Sequence, residues 1–346
     1  MPENQSYFEP QPFNGSFEGK DVVSVEQFTS REEIEYLFSL ADRMKTRVEA
    51  KIQGEELENF TIAELFYQPS TRTFTSFQAA ALWLGCRRIV AIPGMDAYSS
   101  LVKGESLPDT IRTIEQTTAA DLIILRHPND DSSKEAAFYA TMPVINAGAG
   151  KIEHPTQAIL DLYTIYKDKE LGAPDGLNVV MLGDLKYGRT IKSLAKLLAL
   201  ADKKIQISFV SPNKLRMPAE EVQKLKAKGV GVYETEDLKE VLPTADVLYV
   251  TRLQREWFEK EGKMKLYHQL KGAYKITPEI LKIAKKEMII LHPLPRVGEI
   301  TYEVDKDTRA AYFKQMRNGL YTRMALLAAV LGKGEKSWQK KEVLKK

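Results

Sequence analysis

The sequence predicts an α/β protein of two domains, each a parallel sheet flanked by helices, with helices joining the two. Three observations carry that prediction. Strand-like and helix-like patterns alternate along the chain, the strand-like runs fall into two clusters with a break near His154, and 346 residues suffice for two cores of ordinary domain size.

The first cluster of apolar, β-rich runs occupies residues 61–67, 88–92, 122–125 and 144–146; the second occupies 178–182, 205–210, 230–233, 247–250 and 288–291. Short runs separated by helical stretches are the pattern of parallel strands covered on both faces. The clearest helical stretch is 76–84, where Phe77, Ala80, Ala81 and Leu84 fall at i, i+3, i+4 and i+7 and make one apolar face. Another covers 158–166. The segment 312–331 predicts a terminal helix, with Leu320, Met324, Leu327 and Leu331 spaced to dock on a core. The ends are weaker material: residues 1–21, with Pro, Asn and Gly, are expected to form a flexible extension, and 334–346 a solvated lysine-rich tail.

Composition narrows the function classes. Charged residues make up 28% and apolar ones 43%, the profile of a globular chain, and the balance of 50 Lys+Arg against 47 Asp+Glu gives no bulk attraction to nucleic acid. No apolar run approaches the roughly 18 residues of a membrane span, and residues 1–20 lack a signal-peptide core, so a cytoplasmic location is the default expectation. The single cysteine, Cys86, cannot form an internal disulfide or a cysteine metal site and is expected to be a buried apolar residue.

Parallel sheets bind ligands outside the carboxyl ends of their strands, so the residues after each strand are the candidates. After the first comes Gln68-Pro69-Ser70-Thr71-Arg72-Thr73, ahead of the 76–84 helix: either an anion site made of hydroxyls, N–H groups and a guanidinium, or an ordinary helix cap with a surface arginine. The loop at 98–106 holds Ser99, Lys103 and Gly104; taken alone, it is equally a solvated loop. Arg126-His127-Pro128 ends the third run, and His154-Pro155-Thr156-Gln157 opens the helix after the fourth. His127, His154 and His292 all precede proline at such edges, a bias not expected of surface histidines. In the second cluster, residues 183–190 (Gly-Asp-Leu-Lys-Tyr-Gly-Arg-Thr) are one substitution from a phosphate loop, with arginine in place of the lysine that would reach the phosphates. That arginine can instead grip a carboxylate through two parallel hydrogen bonds. Later runs end in Thr251-Arg252-Leu253-Gln254 and His292-Pro293-Leu294-Pro295-Arg296.

Arg72, Arg126, Arg189, Arg252 and Lys103 together imply an anion-seeking cleft suited to one phosphate and more than one carboxylate. No Ser/His/Asp arrangement, metal-ligand cluster or dinucleotide motif accompanies them, and no cofactor is expected. A substrate already activated by a phosphate leaving group needs positioning and charge stabilisation rather than a nucleophilic side chain.

These motifs, in this order over roughly residues 22–331, resemble the aspartate branch of the aspartate/ornithine carbamoyltransferase family. The ornithine branch shares Ser-Thr-Arg-Thr and His-Pro-x-Gln but carries His-Cys-Leu-Pro where this chain has His292-Pro293-Leu294-Pro295, and it uses a Ser-Met-Gly element not found here. The resemblance implies transfer of a carbamoyl group from carbamoyl phosphate to the amine of L-aspartate. It implies that Ser70, Thr71, Arg72 and Thr73 hold the phosphate, and that Thr73, Arg126 and His154 donate to the carbamoyl oxygen. Gln157 and main-chain carbonyls at Leu294 and Pro295 would hold the carbamoyl nitrogen, the bond between those two residues being cis. Arg189, Arg252 and Gln254 would bind aspartate, with Lys103 touching both substrates. It further implies a homotrimer in which the loop carrying Ser99 and Lys103 completes a neighbour's site, with a regulatory chain as a further partner, and neither nucleic acid nor membrane. Residues 22–153 with 312–333 would be the carbamoyl-phosphate domain and 154–311 the aspartate domain. Many members carry glutamate at Gln68, arginine at Phe74 and Trp257, and aspartate at Gly298; the first and third of those charges commonly help bridge the domains on closure. Three other functions compete with this one: a carbamoyltransferase for another amine, a silent binding or assembly relative, and a nucleotide-binding module resting only on residues 183–190.

Overall fold

The computed structural model describes residues 9–95, 103–168 and 176–334. The chain divides into two compact units, Met1–Thr156 with Asn318–Lys346, and Gln157–Arg317.

The first unit is built on β1 (Thr61–Phe66), β2 (Arg88–Pro93), β3 (Leu122–His127) and β4 (Val144–Ala149), all parallel, in the order β2-β1-β3-β4. Its helices are α1 (Arg31–Glu49), α2 (Thr71–Trp83), α3 (Leu107–Thr118) and α4 (Ser132–Tyr139). The central strand β1 is buried throughout whereas β2, at the edge, is half-exposed, as expected when helices cover both faces of the middle of a parallel sheet. Ala63, Leu65 and Tyr67 point to one face and pack with Leu107, Ile111 and Ile114, which α3 presents at i, i+4 and i+7. Ser106 caps α3 by accepting from the Asp109 N–H.

The second unit carries β5 (Asn178–Leu182), β6 (Gln206–Val210), β7 (Gly231–Thr235), β8 (Val247–Val250) and β9 (Ile289–Leu291), again parallel, in the order β7-β6-β5-β8-β9. The division falls within α5 (Pro155–Tyr166) and within α11 (Tyr312–Val330). Between them run α6 (Arg189–Ala201), α7 (Ala219–Ala227), α8 (Leu238–Val241), α9 (Arg255–Lys260) and α10 (Met264–Leu270). Two parallel sheets flanked by helices are thus present, as the strand–helix alternation predicts. Among the described residues no helix is long and apolar enough to cross a membrane. Cys86 is buried.

Two expectations need correction. Residues 13–21 are not a flexible extension: Phe13 and Phe17 are buried, and with Phe28 and Tyr36 they form an aromatic cluster with ring centroids 4.2–6.0 Å apart. Burial of two phenylalanines outweighs the local tendency of Pro, Asn and Gly toward loops. The helix expected at 76–84 also begins five residues earlier, at Thr71. Serine and threonine are common in a first turn, so the apolar face starts well after the helix does.

One buried group stands out. Glu64 lies mid-strand on β1 at 0% exposure, and neither of its carboxyl oxygens has a hydrogen-bond partner among the described residues. Burial pushes its pKa up to about 8. Because the folded value lies above the unfolded one, the group's contribution is fully present below about pH 4.5 and is lost as pH rises through about 8. Wild-type stability in urea should therefore decline between about pH 4.5 and 8 and level off above that. Glu64→Met, of similar volume and without a charge, should flatten that decline and be the more stable protein at pH 9 by about 1–3 kcal/mol. Parallel pH profiles for the two proteins would exclude the assignment.

Candidate active site

Each sheet reverses its strand order once. In the first unit the chain runs from β1 outward to β2 and returns on the other side of β1 as β3; in the second it runs from β5 through β6 to β7 and returns beside β5 as β8. A crevice opens at such a point because the two connections leave toward opposite faces. Several predicted site residues lie at these two edges: Ser70 to Thr73 and Arg126 at the first, Arg189, Arg252 and Gln254 at the second.

On the first edge, Ser70 occupies the N-cap position of α2, yet its hydroxyl makes no capping hydrogen bond. Thr71, Arg72 and Thr73 are therefore the first three helical residues, whose N–H groups have no partner within the helix; the Phe74 N–H is the first to find one, the Ser70 carbonyl at 3.1 Å. Those donors add to the positive end of the helix dipole and the Arg72 guanidinium. Arg126 pairs in register with Phe66 across the switch point, and its Nη1 donates to the Ala147 carbonyl at 3.0 Å, tying it to β4. His154 is buried directly before α5. His127 has a different role: its Nδ1 accepts from the Asn129 N–H at 3.1 Å, its ring meets Tyr67 edge-on at 4.4 Å, and burial pulls its pKa down to about 4, so it stays neutral and structural. Lys103 is exposed, just before α3, and makes no ion pair among the described residues. Ser99 lies outside the described residues.

On the second edge, Gly183 follows β5 at φ +122°, and a Cβ there would lie 2.3 Å from the Thr251 carbonyl; the backbones of the two switch-point connections approach too closely for any other residue. Asp184, fully buried, holds both connections, accepting from the Tyr187 N–H at 3.0 Å and from the Gln254 N–H at 3.0 Å. Burial raises its pKa to about 6 against the lowering effect of those N–H groups. Arg189 begins α6, which Gly188 leaves without a side-chain cap. Arg252 pairs with Glu256 through Nη1 at 3.0 Å and Nη2 at 2.5 Å, four residues on. A cavity of about 300 Å³ opens here, lined in part by Gly183, Thr251, Arg252, Leu253 and Gly298.

Gln157 is buried in the first turn of α5 and donates through Nε2 to Asp161 at 2.8 Å. The Leu294–Pro295 peptide is cis, as the resemblance implies, and the Leu294 N–H donates to His292 Nδ1 at 2.7 Å. Apolar packing occupies two positions where the resemblance implies a charge in many members: Phe74 meets Phe66 edge-on at 5.1 Å, and Trp257 packs on the cluster of Tyr187, Leu215, Phe258 and Tyr267. Asp184 and Asp161, each a buried acceptor for several donors, are positions to which motif reading gives no role of their own. The signal for each was present: an acidic residue after a glycine at a strand end, and an aspartate four residues after Gln157 on a helix otherwise rich in apolar residues.

Residues 20–167 match the family described as aspartate/ornithine carbamoyltransferase, carbamoyl-P binding domain, and residues 175–330 match its Asp/Orn binding domain. The aspartate carbamoyltransferase catalytic subunit of Thermococcus onnurineus is 46% identical over 316 residues, covering 91% of this chain and 98% of that protein. That of Methanopyrus kandleri is 47% identical over 320 residues, covering 92% and 99%. Among solved structures, aspartate transcarbamoylase from Trypanosoma cruzi in complex with carbamoyl phosphate and aspartate superposes with a TM-score of 0.83 at 40% identity, covering 92% of this chain and 98% of that one.

Asp184→Ala would leave the Tyr187 and Gln254 N–H groups without their acceptor. The loss should lower folding stability by about 2–4 kcal/mol, read as a shift in the urea midpoint. A change below about 0.5 kcal/mol, the level of an ordinary surface substitution, would show that the two connections hold each other without it.

Proposed function

We infer the reaction from a premise that the matches establish: the chain belongs to the aspartate/ornithine carbamoyltransferase family. It transfers the carbamoyl group of carbamoyl phosphate to the amine of L-aspartate, giving N-carbamoyl-L-aspartate and phosphate, a step of pyrimidine biosynthesis. The observation that carries the residue assignments is the pair of switch-point edges. One presents an uncapped helix N-terminus with Arg72, and the other presents Arg189 and Arg252, an arginine pair that suits an acceptor with a second carboxylate better than one with an ammonium.

The amine nitrogen attacks the carbamoyl carbon, the bond from that carbon to the phosphate oxygen breaks, and the departing phosphate takes up the proton the amine releases. Ser70, Thr71, Arg72 and Thr73 hold the phosphate, and Arg72 neutralises the charge that grows on it. Thr73, Arg126 and His154 donate to the carbamoyl oxygen as it turns anionic. Gln157 and the carbonyls at Leu294 and Pro295 accept from the carbamoyl nitrogen. Arg189, Arg252 and Gln254 bind aspartate. The unit built on β1–β4 is the carbamoyl-phosphate domain and the unit built on β5–β9 the aspartate domain. The enzyme works as a cytoplasmic homotrimer in which Ser99 and Lys103 serve a neighbouring subunit's site, and the relatives' designation as catalytic subunits supports a regulatory chain as a further partner.

The decisive assay is product formation with aspartate, ornithine and other amines as acceptors: carbamoyl aspartate should form, and turnover with ornithine alone would overturn the acceptor assignment. Arg72→Ala should cost about 3 kcal/mol or more of transition-state stabilisation with little change in fold. For the trimer, Arg72→Ala and Lys103→Ala proteins should each be nearly inactive. Activity should reappear when the two are dissociated and reassembled together, because some pockets then combine an intact Arg72 with an intact Lys103. An active Lys103→Ala enzyme, or reassembled mixed trimers with no activity, would refute the shared site.

A further inference from the structure

We propose that Asp161 is the positioning residue that makes the enzyme select an acyl phosphate bearing –NH2 over one bearing –CH3. Asp161 is fully buried on α5, and three donors converge on its carboxylate: Gln157 Nε2 at 2.8 Å and Gln315 Nε2 at 2.5 Å on Oδ1, and the Tyr249 hydroxyl at 2.7 Å on Oδ2. An ionised carboxylate only accepts. Each glutamine must therefore turn its NH2 end toward Asp161 and its carbonyl end elsewhere, and this chemical constraint fixes the orientation of both amides.

The two carbonyl ends then do different things. Gln315 Oε1 accepts from the His292 N–H at 2.9 Å and so holds the turn after β9. Within that turn, His292 Nδ1 accepts from the Leu294 N–H at 2.7 Å, which places the ring proton on Nε2, 2.7 Å from a Glu299 oxygen. Gln157 Oε1 is the end not engaged by Asp161. On the reading above, Gln157 and the Leu294 carbonyl are two of the acceptors for the carbamoyl nitrogen, beside the Pro295 carbonyl; one carboxylate thus presents the first directly and anchors the second through Gln315 and His292. An acceptor pair fixed this way favours a group with two N–H bonds. A methyl group of the same size would leave both acceptors desolvated and unpaired, which is where large discrimination arises.

The inference rests on the assigned roles of Gln157 and Leu294, so the experiment reads binding as well as turnover. Affinities for carbamoyl phosphate, acetyl phosphate and inorganic phosphate are measured by calorimetry on the full chain, with carbamoyl aspartate formation assayed alongside. In Asp161→Asn the side chain can donate as well as accept, and Gln157 is free to flip. The preference for carbamoyl over acetyl phosphate should fall about tenfold or more while inorganic phosphate binds as before. In a Gln157→Met background the same substitution should have a much smaller effect on the preference, because the residue it acts through is gone. If Asp161→Asn does not fold, Gln315→Met, which removes one of the two oriented amides, should lower the preference several-fold.

An unchanged preference in a folded variant, an equal loss for all three ligands, or an effect undiminished by Gln157→Met would each overturn the proposal. Failure of the underlying reading looks different: the wild-type chain would form no carbamoyl aspartate, or would show no preference for carbamoyl phosphate to lose.

Discussion

Parallel strands cannot be joined by a tight turn; each must be reached by a crossover that returns the chain to the same end of the sheet. In both units this constraint sends every strand's carboxyl end, and every following loop, to one edge, and the single reversal of strand order in each sheet parts two of those loops. The consequences follow from there. Helix N-termini point toward the same edge, so α2 and α6 each begin there without a side-chain cap and with an arginine, Arg72 or Arg189, in the first turn. Anion recognition is then largely a property of the topology, and the side chains choose which anion.

Buried carboxylates act on this scaffold in two opposite ways. Asp184 and Asp161 accept from groups on separate segments and hold those segments together: strand-end connections in the first case, α5, α11 and β8 in the second. Their burial is offset by the donors they gather, and removing either leaves several polar groups unsatisfied. Glu64 gathers none and remains protonated at neutral pH, a polar group in the core whose cost is not offset by any contact among the described residues. Residue type and burial are nearly the same in all three, and the number of donors within reach decides whether the group organises the fold or weakens it.

Much of this was legible in the sequence, for identifiable reasons. The strands are legible because parallel strands buried on both faces read as continuous apolar runs, and the candidate motifs stand out because they sit where those runs stop. The extent of α2 is not legible, because Thr71 and Thr73 resemble a cap rather than a helix. The aromatic cluster of Phe13, Phe17, Phe28 and Tyr36 was hidden by the prolines and glycines around it, and its members meet only in three dimensions. α1 carries a periodic stripe of Ile34, Leu37, Phe38, Ala41, Met44 and Val48, but it precedes the first strand and so lay outside the alternation that organised the rest. The Asp161 network links residues up to 154 positions apart, and no local pattern encodes which distant amide an aspartate will orient.

The first unit is discontinuous in sequence: its sheet is complete by Ala149, but its last helical segment begins at Asn318. That segment buries Met324, Leu326 and Leu327 and sets the Arg323 guanidinium 5.1 Å from the Phe77 ring of α2, while the Gly19 N–H donates to the Val330 carbonyl. During synthesis, then, the β1–β4 sheet emerges well before the residues that finish its core. At typical elongation rates the roughly 170 intervening residues take about ten to thirty seconds to translate. The second unit, contiguous from Gln157 to Arg317, can fold within that interval, while the older half of the nascent chain waits with apolar surface uncovered. The order in which the ribosome delivers the two halves is therefore the reverse of the order in which they can be completed, and the vulnerable species is the nascent chain from which Asn318 onward has yet to emerge.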